Sequence, residues 1–108
     1  MKGRPVFGVD IAQGLTAATV TVWGDIDIAT IGRLVSARDQ ALANNPPSLR
    51  IDLSAVEFVD SSGLKFLLET HSLSKSHGWT LQLIRPANSA MRAFEIAGVD
   101  TLLPFVQS

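Results

Sequence analysis

Cysteine is absent from all 108 residues, so disulfides and thiolate metal sites are excluded. That absence fits a reducing compartment. An excess of charge of one sign is also missing: nine Lys and Arg stand against ten Asp and Glu, for a formal net charge of −1. A chain so balanced lacks the basic footprint of nucleic-acid binding or polybasic membrane attachment. No apolar run approaches the roughly 20 residues of a spanning helix. The start, Met1-Lys2-Gly3-Arg4-Pro5, is not followed by the apolar core of a secretory signal. The expectation is a cytoplasmic protein with no membrane span and no direct contact with nucleic acid. Internal repeats, low-complexity tracts and linkers are missing too, so residues 1–108 read as a single domain. There is no Gly-x-Ser-x-Gly, no phosphate-cradling Gly-rich loop and no His-Glu-x-x-His.

What is present is ample core material, 46% hydrophobic residues, arranged in alternating and helical periods. Residues 6–12 read as a first strand and residues 16–23 as a second, with the β-branched run Thr19-Val20-Thr21-Val22. The short turn at Gln13-Gly14 predicts an antiparallel pair. Gly24-Asp25-Ile26-Asp27 leads into a helix whose apolar face holds Ile31, Leu34, Val35 and Leu42, with Asp27 or Thr30 as N-cap. Asn44-Asn45-Pro46-Pro47 ends that helix. Residues 49–53 form a third strand, and the strand-like character runs on to Val59. A second helix covers about residues 62–77, with Gly78 as its C-terminal cap. Residues 79–84 are a fourth strand. Asn88 or Ser89 caps a third helix that reaches Ala97 and ends at Gly98, and residues 99–106 form a short closing element. Strands joined through helices pair in parallel by right-handed crossovers. The predicted architecture is therefore α/β: one mixed sheet of four to five strands, with helices packed mainly on one face.

The most informative stretch is Asp60-Ser61-Ser62-Gly63-Leu64, where a strand gives way to a helix. A helix start leaves N–H groups unpaired and carries partial positive charge, so it accepts a capping oxygen or an anion. Two readings stand: a structural cap with a glycine for close packing, or a place where a phosphate is added and read. On the second helix, 100° per residue groups Leu64, Leu67, Leu68 and His71 as the core face. Ser62, Phe66, Glu69 and Leu73 then lie opposite. Phe66 beside Ser62 is either an outward contact surface for another protein or is covered, with Leu73, by a neighbouring helix. A catalytic Ser62–His71 pair fails on distance, because nine residues of helix rise about 13 Å and His71 points away. His71 reads as a partly buried structural residue and His77 as a partner of the helix C-terminus. Asp25, Asp27 and Asp60 converge on a cation only if the strand ends meet; otherwise they cap and solvate loops. No metal site and no cofactor are expected, and the chain is not expected to be an enzyme.

Three segments resemble STAS domains. Gly24-Asp25-Ile26-Asp27-Ile28-Ala29-Thr30 is similar to their Gly-acid-apolar-Asp segment. Residues 52–64, centred on Asp60-Ser61-Ser62-Gly63, resemble their signature, and residues 88–99 resemble their last helix. The resemblance covers about residues 15–105 and is strongest among bacterial anti-sigma-factor antagonists. It implies that the unphosphorylated chain binds an anti-sigma factor with serine kinase activity and so frees a sigma factor. The kinase, which brings the ATP site, would then phosphorylate Ser62 (Ser61 being the alternative) and a serine phosphatase would reverse this. The resemblance implies a partner surface of Asp25, Asp27 and Thr30 from one loop. From the other come Asp60, Ser61, Ser62, Gly63, Lys65, Phe66 and Glu69. Lys65, one turn into the helix, is placed to pair with a phosphate on Ser62. The free chain is expected to be a monomer. The competing implication is a STAS scaffold or accessory adaptor, of a multiprotein or lipid-transport complex, that binds without being phosphorylated.

Overall fold

The structure, a computed structural model, describes residues 7–106. Strand β1 (Phe7–Gln13) pairs antiparallel with β2 (Ala18–Ile26), in register from Phe7 opposite Gly24 to Gln13 opposite Ala18. The hairpin is closed by Gly14 N donating to Ala17 O at 2.9 Å, which keeps Thr16 and Ala17 out of the second strand. Val6, expected in the first strand, lies outside the described residues. The chain continues as α1 (Ile31–Leu42), β3 (Ser48–Val59), α2 (Ser61–His77), β4 (Thr80–Ile84), α3 (Asn88–Ala97) and β5 (Phe105–Val106). The sheet order is β1-β2-β3-β4-β5, with every pair after the first parallel. The closing element is thus a two-residue fifth strand against Leu83 and Ile84.

Alternation decides how the sheet is covered. Ala18, Val20 and Val22 of β2, Leu49, Ile51 and Leu53 of β3, and Leu81 and Leu83 of β4 are all buried. Their neighbours Thr19, Thr21, Arg50 and Gln82 form a more open polar face, on which Arg50 donates to Gln82 Oε1 at 3.0 Å. Helix α1 lies against β1 and β2, α2 against β3 and β4, and α3 against β3. Phe94 of α3 meets Phe105 of β5 edge-on, with centroids 5.3 Å apart.

One capping expectation is corrected and one holds in position only. The N-cap position of α3 is Ala87, with no side-chain cap bond; Asn88 and Ser89 are already helical. Thr30 does occupy the N-cap position of α1, but its side chain is engaged elsewhere. Gly78 and Gly98 close α2 and α3 in left-handed conformation, at φ 83° and 74°, as their positions predicted.

The larger correction concerns α2. Its buried residues are Gly63, Phe66, Leu67, Thr70 and Ser74, a regular i, i+3, i+4, i+7, i+11 stripe. Leu68, expected in the core, is 36% exposed, whereas Phe66, for which an outward and a covered reading both stood, is only 2% exposed. The cause is α1. Arg38 lays its guanidinium over the Phe66 ring, 4.9 Å from the centroid, and donates from Nη1 to Thr70 Oγ1 at 3.1 Å. Thr70 Oγ1 in turn donates to Phe66 O at 2.8 Å, so the buried hydroxyl is satisfied. A neighbouring helix therefore covers Phe66.

Candidate functional site

Strands β2 and β3 are parallel neighbours, so the connections that leave their carboxyl ends emerge at one edge of the sheet. Ile26 stands beside Val59, and Asp60 N donates to Ile26 O at 3.0 Å. That bond ties the Asp25–Thr30 loop to the start of α2.

Each loop is ordered from within. Asp27 Oδ1 accepts from Ala29 N at 3.0 Å and from Thr30 N at 3.2 Å, an Asx turn. Thr30 Oγ1 donates to Asp25 O at 2.9 Å and accepts from Asp27 N at 2.9 Å. This explains why the Thr30 side chain makes no cap bond to α1: its hydroxyl braces the turn before it. On the second loop, Asp60 is the N-cap of α2, and its Oδ1 accepts from Ser62 N at 2.9 Å and from Gly63 N at 3.4 Å. The same oxygen accepts the Ser62 hydroxyl at 2.5 Å, the short distance of a charge-assisted bond. That hydroxyl is the main reason the Asp60 carboxyl is held below the ordinary carboxylate range; desolvation opposes it, and backbone N–H groups of Ser62, Gly63 and Ile28 assist.

Gly63 is placed by sterics rather than by backbone conformation. A Cβ there would stand 2.7 Å from Val59 Cγ1 and 2.8 Å from Ile26 Cγ2. The first turn of α2 therefore sits directly on the ends of β2 and β3. We expect Gly63→Ala to lower stability by up to about 2 kcal/mol. Overpacking costs about 1–3 kcal/mol, and about 1 kcal/mol of gained helix propensity offsets part of it. Urea unfolding would measure it, and a midpoint raised above wild type would contradict the close packing.

Asp25, Asp27 and Thr30 are thus brought together with Asp60, Ser61, Ser62 and Gly63. Ser61 is exposed and Ser62 half-buried. Lys65 and Glu69, both exposed, extend the Ser62 stripe along α2. Phe66 is not part of this surface. Among the described residues, no three acidic or histidine side chains are grouped so as to hold a metal ion. The Asp27 and Asp60 carboxylates accept from the N–H groups of their own turns. His71 is partly buried, and its pKa is lowered first by desolvation and then by the Lys75 charge. His77 Nδ1 lies 3.1 Å from Leu73 O in the last turn.

Two side chains at this edge were not singled out in the sequence. Ile28, on the first loop, is 82% exposed, and Phe58, paired with Asp25 in the ladder, is 51% exposed. A phenylalanine outward in a strand just before the Asp60 cap was the available signal.

Similar proteins share this arrangement of chain. RsfB of Mycobacterium tuberculosis, named an anti-sigma-F factor antagonist, is 44% identical over 62 residues, covering 57% of this chain and 51% of that protein. The matched region is thus about half the length of that relative. The anti-sigma-B factor antagonist of Bacillus subtilis is 28% identical over 95 residues, 88% of this chain and 86% of that protein. The crystal structure of an anti-sigma factor antagonist from Mycobacterium paratuberculosis superposes with a TM-score of 0.76 at 29% identity, covering 92% of this chain and 84% of that one. Unphosphorylated SpoIIAA, an anti-sigma factor antagonist, gives 0.77 at 13% identity over 94% of this chain and 88% of its own, a likeness of fold. Residues 9–104 match the family model described as Mlab, STAS domain, and the chain belongs to the STAS domain family.

Proposed function

We propose that this protein is an anti-sigma-factor antagonist, a regulatory binding protein rather than an enzyme. Its unphosphorylated form binds an anti-sigma factor that is also a serine kinase. Phosphorylation of Ser62 then ends the association, and a serine phosphatase restores it. The observation that carries this reading is the Ser62 hydroxyl, held half-buried at the start of α2 on the edge where the Asp25–Thr30 loop emerges. The names of relatives matching over most of the chain support it.

The partner surface combines Asp25, Asp27 and Thr30 with Asp60, Ser61, Ser62, Gly63, Lys65 and Glu69. Exposed Ile28 and Phe58 supply the apolar contact that Phe66, being buried, does not. Phosphate on Ser62 adds about −1.5 to −2 charge at pH 7. A helix N-terminus tolerates that charge, so the fold persists. The partner meets a hydrated dianion instead of a hydroxyl.

The test is incubation with an anti-sigma-factor kinase that binds the chain, plus ATP, followed by intact mass and fragmentation. One phosphate on Ser62, absent from Ser62→Ala, is expected. Phosphate on Ser61 of the Ser62→Ala protein would overturn the site assignment. A bound kinase that leaves the chain unmodified would identify a constitutive adaptor instead.

A further inference from the structure

The two edges of the sheet are protected unequally. At one edge, β5 is two residues long. At the other, β1 offers seven residues, and among the described residues its outer side pairs with no strand. Such a strand presents unpaired N–H and C=O groups, which chains usually guard with shortness, proline, lysine or a bulge. Phe7-Gly8-Val9-Asp10-Ile11-Ala12-Gln13 contains no proline or lysine, pairs with β2 without a bulge and carries one charge, Asp10. Beside it runs a groove of about 740 Å³, bounded by half-buried Val9 and Ile11 of the strand and by Ala29, Gly32, Ser36 and Gln40 at and along α1. On the other face, the Trp23 indole lies across Gly8, where a Cβ would collide with its Cε2, Cζ2 and Nε1. The ring thus reaches over β1 toward the free edge.

We propose that β1 pairs antiparallel with β1 of a second copy, about a two-fold axis through Val9, and that the groove seats that copy's α1. Spacing selects this occupant. Helix α1 lies evenly over β1 and β2, and strands stand about 4.8 Å apart. Two copies joined at β1 hold their α1 helices two strand spacings apart, roughly 9–10 Å, which is the packing distance of helices. Charge and register agree on the axis. An axis through Asp10 would set two carboxylates opposite each other, which is destabilising. An axis through Val9 pairs Phe7 with Ile11 on the helix side and Asp10 with Gly8 on the other, beside the indole N–H of Trp23. Arg33 lies over the Phe7 ring, 5.0 Å from its centroid, and α1 runs in the direction of β1. Two residues of strand advance about 6.6 Å, the rise of about four residues of helix. Ser36 and Ala37 therefore stand nearest the axis, with Gly32 facing Gln40 of the second copy. These mostly small residues permit the close approach. The axis reverses strand direction, so the two Ser62 edges point apart and both stay open. The inference does not depend on the phosphorylation reading.

The test is sedimentation velocity of the whole chain from about 1 μM to about 1 mM, over which the mass should move from monomer to dimer. The chain has no cysteine, so single cysteines report the register. Val9→Cys puts both sulfurs at the axis, with Cα atoms about 4.5–5.5 Å apart, within reach of a disulfide. Mild oxidation should link that dimer covalently. Ala12→Cys lies about 20 Å from its counterpart in the second copy and should not link. Ser36→Glu, at an exposed helix position, sets two like charges between the helices. It should weaken the dimer by roughly 10-fold or more, with an unchanged melting temperature where wild type is monomeric. A wild type that stays monomeric at about 1 mM would overturn the proposal and leave the monomer expected from the sequence. So would a dimer in which folded Val9→Cys does not link, one linked through Ala12→Cys, or one that Ser36→Glu leaves as tight as wild type.

Discussion

Ser62→Asp is expected to weaken binding to the anti-sigma factor by roughly 100-fold or more, about 2.7 kcal/mol, while Ser62→Ala binds within a few-fold of wild type. The Ser62 side chain is half-buried beside the Asp60 carboxylate, and Asp25 and Asp27 stand at the same sheet edge. A new carboxylate there adds like charge to an acidic edge and must be desolvated on docking, and both effects oppose association. Its place in the first turn of α2 favours it within the free chain, so the fold should persist. Calorimetric titration of both variants at one ionic strength is the measurement. Wild-type affinity in a folded Ser62→Asp protein would show that charge at this position is not what the partner reads.

Phe66→Ala is expected to have the largest effect on stability, a loss of about 3–5 kcal/mol. The ring is 2% exposed, and removing it empties a core site and takes away the surface on which Arg38 rests. Against a total stability of about 5–15 kcal/mol, the melting temperature should fall by about 15 °C or more. Arg38 would still donate to Thr70, so the contact between α1 and α2 weakens without vanishing. An unchanged melting temperature with reduced partner affinity would instead return Phe66 to the outer surface.

The difference between the predicted and observed faces of α2 has a simple physical origin. Hydrophobicity points to Leu64, Leu67, Leu68 and His71, yet the buried stripe includes Gly63, Thr70 and Ser74. These residues are inside because the helix approaches its neighbours closely, and small or hydrogen-bonded side chains permit that. Gly63 meets Val59 and Ile26, and Thr70 meets Arg38. Composition carries no record of such contacts until the partner elements are known. Strand β3 is similar. Its alternation is regular through Leu53, then the pairing with β2 becomes irregular between Thr21 and Trp23 and again between Gly24 and Asp25. Ser54 N donates to Asp52 Oδ1 at 2.9 Å near the first irregularity. Beyond it a period of two no longer separates inside from outside, and Phe58 is left outward beside Asp25.

Where the sequence was legible, local chemistry and tertiary structure agree. The hairpin, the Asp60 cap and the glycine ends of α2 and α3 follow from turn and capping preferences that need no distant partner. The convergence of Asp25, Asp27 and Thr30 on the Asp60 turn does need one. It follows from β2 and β3 being parallel neighbours, and its strongest local signal was the pair of acidic loops after consecutive strands.

The seating of Gly63 against Val59 and Ile26 has a kinetic consequence. Ser62, which the proposed function makes the serine read by the partner, is mounted on the first turn of a packed helix, not on a segment that must order itself before docking. Under the proposed function, a dephosphorylated chain is then competent the moment the phosphate leaves, with no slow rearrangement in between. The switch keeps no memory of its former state. Its response time is that of the enzymes that add and remove the phosphate.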